Sequence, residues 1–124
     1  MAGKLSPAAA IKVAQLQSFV PRVARLHALV ETFAAARGTL DNYQSSLKRA
    51  AEQLKLSFMG VGLDQLSQLC GSIAMAAQRS GSQNIKTRIL RDLIGGLKFQ
   101  LEFSIRNVIR DDEMERGKDE TSEV

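Results

Sequence analysis

Residues 85–110 read IKTRILRDLIGGLKFQLEFSIRNVIR, and the placement of their apolar side chains decides the architecture. Leu90, Ile94, Leu97, Leu101, Ile105 and Val108 recur at mixed steps of three and four, which puts them on one side of a helix. Three earlier segments carry stripes of the same period. They are Leu16, Phe19, Val23, Leu26, Val30, Phe33, then Leu40, Tyr43, Leu47, Ala50, Leu54, then Leu63, Leu66, Cys70, Ile73, Ala77. Four such helices bury their stripes most economically by facing them inward, so the expected fold is all-α, an antiparallel four-helix bundle over residues 1–110.

The fourth segment carries more apolar surface than one bundle covers. At 100° per residue its apolar side chains span an arc of roughly 200°, against roughly 100° for an ordinary surface helix. Phe99, Phe103 and Ile109 are the excess, and a second subunit is the simplest cover for them. Gly95-Gly96 points the same way, because each helix-interior glycine costs about 1 kcal/mol relative to Ala and is usually kept for close packing. The competing reading is that the two glycines only kink the helix. The expected interface is therefore Gly95, Gly96, Phe99, Phe103 and Ile109, in a homo-oligomer.

The formal net charge of +4 conceals an asymmetry. Residues 1–110 hold 15 Lys and Arg against six acids, whereas residues 111–124 hold seven acids against Arg116 and Lys118. Arg88, Arg91, Lys98, Arg106 and Arg110 share an arc of about 120° on the fourth helix, the electrostatic footprint of a polyanion-binding face. Against that, the same charges read as a solvated surface with i,i+4 pairs such as Lys98–Glu102 and Glu102–Arg106. No zinc ligands, phosphate loop or interleaved stacking aromatics accompany them. Residues 111–124, DDEMERGKDETSEV, are poor in apolar groups and are expected to form a flexible acidic tail that folds back over the cationic face.

Boundaries come from cap residues. Ser6-Pro7 opens the first helix and Arg37-Gly38 closes it, with Pro21 expected to kink or break it near Ser18 to Val20 and to free the first turns as an arm. Thr39 is expected to cap the second helix, which fades over Leu56, Ser57, Phe58 and Met59 before Gly60-Val61-Gly62. Ser82 or Asn84 is expected to cap the fourth.

Catalysis lacks converging groups. The bundle has one His and six acids, each acid on a different turn, with no Glu-x-x-His pair for a di-iron site. His27 flanks the first stripe. A half-exposed histidine on a four-helix bundle resembles the phosphotransfer domains of two-component signalling in length and class. Those domains follow the histidine with Lys and Gly within a turn, where this chain has Val30 and Glu31. The single cysteine, Cys70, cannot form an internal disulfide and lies on a stripe as a small hydrophobe. The longest uncharged stretch, Gln65 to Gln78, is 14 residues with three Gln, too short and polar to cross a bilayer. Organellar targeting is not expected, because the stripe from Leu16 runs unbroken into Phe33. The resulting expectation is a cytoplasmic, cofactor-free, non-enzymatic assembly module with protein partners and no membrane contact. The leading alternative is an accessory RNA- or DNA-binding subunit, and phosphotransfer through His27 is a minor one.

Overall fold

The computed structural model describes residues 5–38 and 40–122, with side chains as far as residue 117. Every regular element among the described residues is a helix: α1 (Pro7–Gln17), α2 (Val20–Ala35), α3 (Asp41–Gly60), α4 (Asp64–Gln78) and α5 (Gln83–Ser122). None is long and apolar enough to cross a membrane.

Local chemistry sets the boundaries. The Ser6 hydroxyl accepts the Ala9 N–H at 3.2 Å, and Pro7 begins the helix where its missing donor costs nothing. Pro21 cannot donate to the preceding turn, and the chain divides into α1 and α2 at Ser18 and Phe19. Both residues keep right-handed φ/ψ. The first turns do not swing free, because Ala9, Val13 and Leu16 are buried on α5 and continue the stripe of α2. Gly38 and Gly62, with φ of 87° and 75°, supply the left-handed turns after α2 and α3. Thr39, expected to cap α3, lies outside the described residues. Ser82 caps α5 by accepting the Ile85 N–H at 3.2 Å.

α2 packs on α3 and α5, and α4 packs on α3 and α5. Each of the four thus has two neighbours around one core. Its largest fully buried members include Phe33, Phe58, Leu47, Ile73, Leu90 and Leu97. Contacts of α1 and α2 with α5 run in reverse order. The Ser6 N–H donates to Asp112, Lys98 contacts His27, Arg91 pairs with Glu31, and Gln83 meets Phe33.

The inward face of α3 differs from expectation. Leu47, Ala51, Leu54 and Phe58 are buried, whereas Tyr43 is 40% exposed and Leu40 and Ala50 only line the core. α3 does not fade before Phe58; its ring packs on Phe19 with centroids 4.3 Å apart. Phe58 continues the buried stripe from Leu47 at steps of four, three and four, so the helical period runs on to the ring contact with Phe19.

The acidic segment also differs. α5 continues through it to Ser122 rather than fraying after Arg110. Asp112 is buried, accepts the Ser6 N–H at 3.1 Å and pairs with Arg116 one turn on at 3.2 Å. Asp112 lies 21 residues beyond Arg91, about 30 Å along a continuous helix, so it cannot cover Arg91 of the same chain. Hydrogen bonds from Ser6, side chain first and backbone second, hold the Asp112 carboxyl below its ordinary value of 3.8. A depressed carboxylate stabilises the fold above its ordinary value and loses that contribution as pH falls through the depressed one. Acidification below about pH 3.8, or Asp112→Asn at neutral pH, is expected to loosen α1 from α5 before the core opens. Amide exchange would show this as early loss of protection at Val13 and Leu16, and uniform loss across all helices would refute it.

Candidate interaction surface on α5

α2, α4 and α1 all pack on α5, and the Arg88, Asp92, Phe99, Phe103, Arg106 and Arg110 side chains on it are exposed. Phe99 is 62% exposed and Phe103 46%, and their rings stack with centroids 6.1 Å apart. Gly96 and Phe99 line a groove of about 380 Å³ whose other wall is Gln65, Gln68, Leu69 and Ser72 of α4. A Cβ placed on Gly95 or Gly96 would meet nothing within 4 Å. α5 passes through both glycines without interruption. Neither packing within the chain nor a break in the helix accounts for them. Ile109, by contrast, is half-buried and projects about 80° around α5 from Phe99, away from this edge. The structure thus brings Gly95, Gly96, Phe99 and Phe103 together and leaves Ile109 out.

The five cations divide into two sets. Arg91 faces α2, where its Nε and Nη2 donate to the Glu31 carboxylate at 2.9 and 2.8 Å. That bidentate bond holds the Glu31 carboxyl below its ordinary range. Lys98, half-buried, contacts Nδ1 of His27. The other ring nitrogen of His27, Nε2, lies 3.8 Å from Glu31. The expected pairs of Glu102 with Lys98 and Arg106 do not form; α2 instead supplies the partner of Lys98. Arg88 and Arg106 are exposed with no ion-pair partner among the described residues, and Arg110 lies 3.9 Å from Asp111.

Two polar connections have little signature in the sequence. Gln83 at the start of α5 donates to the carbonyls of Phe33 at 2.7 Å and Ala36 at 2.8 Å, capping the end of α2 from another helix. Arg22 donates to the Ser57 hydroxyl at 2.9 Å while its guanidinium lies over the Phe19 ring. Burial pushes the Cys70 thiol up to about 12, which suppresses its thiolate. Among the described residues no three of His, Cys, Asp and Glu cluster as a metal would require. Compared with known proteins, the chain matches no family model, no curated relative and no solved structure.

Proposed function

We propose that the chain is a non-enzymatic assembly module: an antiparallel four-helix bundle, with α1 appended, that self-associates through α5. The observation that carries this reading is the stacked Phe99–Phe103 pair, exposed beside two helix-interior glycines at which an added Cβ would meet no described atom within 4 Å. Exposed aromatics next to a notch are the composition of an interface centre rather than of a solvated face. The test is native mass with a point variant. The wild type should sediment above 13.6 kDa at micromolar concentration, and Phe103→Glu should return it to monomer with unchanged helicity. A wild type at monomer mass would overturn the reading, and so would a Phe103→Glu chain that unfolds, since Phe103 would then be core.

An accessory RNA- or DNA-binding role is the second reading, favoured by Arg88 and Arg106, which are exposed with no ion-pair partner among the described residues. It has less support than the five-cation arc suggests, because Arg91 and Lys98 are engaged by Glu31 and His27. Phosphate binding would give a steep fall of affinity with salt, whereas apolar assembly would barely respond. Retention on heparin at about 0.15 M salt would favour the second reading, and no retention would dismiss it. Phosphotransfer has still less support, since His27 carries Lys98 on one ring nitrogen and faces Glu31 with the other.

A further inference from the structure

We propose that α5 pairs with α5 of a second copy of this chain, antiparallel and centred on Leu101, a geometry that rests on the self-association reading and specifies it. The outward edge of α5 carries the argument. Arg88, Asp92, Phe99 and Phe103, followed by Arg106, Arg110 and Glu113, are all exposed. With Gly95 between Asp92 and Phe99, successive members are three or four residues apart, so they hold one meridian of a helix for roughly 40 Å.

That edge is complementary to itself when reversed. With a two-fold axis at position 101, residues equally distant on either side face each other across the pair. Phe99 then meets Phe103 of the partner subunit, extending the intrachain stack into a four-ring cluster. Asp92 meets Arg110 of the partner subunit, and the two-fold repeats that pair at the other end. Gly96 meets Arg106 of the partner subunit, where the missing side chain leaves room for a long stem. Arg88 falls opposite Met114 of the partner subunit, one residue from the partner's Glu113. Parallel pairing would instead set Arg88, Asp92, Arg106 and Arg110 each against its own copy. Four like-charge contacts of that kind argue against it.

The charges are available for this use. Arg88, Asp92 and Arg106 have no ion pair among the described residues, and Arg110 lies 3.9 Å from its own neighbour Asp111. A different partner would not require the edge to be complementary to its own reverse. Only a second copy makes the position of Phe99 relative to Phe103 and that of Asp92 relative to Arg110 share one centre.

Charge exchange on the full chain tests the register. Asp92→Arg and Arg110→Asp each create two like-charge pairs per dimer, and each should raise the dissociation constant about tenfold or more at low salt. The double variant restores both pairs with reversed polarity and should return to within about threefold of wild type. Both positions are exposed, so circular dichroism should show all three variants folded. A wild-type chain that is monomeric overturns this proposal together with the self-association reading. A dimeric wild type whose double variant binds no better than the single variants overturns the antiparallel register alone.

Discussion

Phe58→Ala is expected to destabilise the fold by about 3–5 kcal/mol, a large part of the 5–15 kcal/mol typical of a domain. Phe58 is completely buried and its ring lies 4.3 Å from that of Phe19, so truncation leaves a cavity between α3 and the junction of α1 and α2. Phe19 borders the division at Pro21 and cannot follow the cavity inward without moving both helices. Collapse should therefore be incomplete and the cost near the upper end of the range. Two readouts apply. Thermal or urea unfolding gives the magnitude, and labelling of the Cys70 thiol reports opening, because burial suppresses its thiolate in the folded chain. Tyr43→Ala is the control: Tyr43 is 40% exposed and should cost well under half as much. A larger loss at Tyr43 than at Phe58 would mean that α3 is rotated about its axis so that its Tyr43 flank, about 60° round from Phe58, meets the core.

Those two residues also mark how far the sequence can be read. The stripes of the first, third and fourth segments entered the core nearly as spaced, because Leu, Ile and Val at steps of three and four leave one orientation for the helix. In the second segment Ala50 and Ala51 both fit a helical period, and Tyr43 tilted the choice toward the wrong one. Phe58 extends the period of Leu47, Ala51 and Leu54 and fixes the orientation, but it falls in the run expected to fade, and its contact with Phe19, 39 residues earlier, is invisible within α3. The acidic segment was misread for a related reason. Low apolar content signals disorder only when nothing else holds the chain, and here Ser6 holds Asp112 across 106 residues.

The α5 edge was legible in part. Exposed Phe99 and Phe103 and the Gly95-Gly96 pair follow from the width of the apolar arc, since a helix in a small bundle cannot be covered all round. Ile109 entered the same list because arc width alone does not say which flank faces a neighbour. On the cationic face, counting charges along one helix omits the partners that another helix supplies. Glu31 on α2 takes Arg91, and His27 takes Lys98, through contacts 60 and 71 residues apart in sequence.

Gly95→Ala combined with Gly96→Ala is expected to move two quantities in opposite directions. Each substitution in a helix interior gains about 0.5–1 kcal/mol from reduced freedom of the unfolded chain and better helix propensity. Outside the surrounding helix backbone neither new Cβ meets a described atom within 4 Å, so no clash offsets that gain. The folded subunit should become more stable by about 1–2 kcal/mol, raising its melting temperature by several degrees. Association should weaken, because methyl groups hold apart surfaces that the glycines let approach, and Gly96→Leu should weaken it further. Unfolding at concentrations where the chain is monomeric isolates the first effect, and sedimentation measures the second. A stabilised chain that assembles as before would place the glycines outside the interface. A destabilised one would mean that some part of the chain itself needs the space, which the open surroundings of both residues argue against. Stabilisation of the subunit together with loss of assembly is the combination that only a partner seated on this edge of α5 produces.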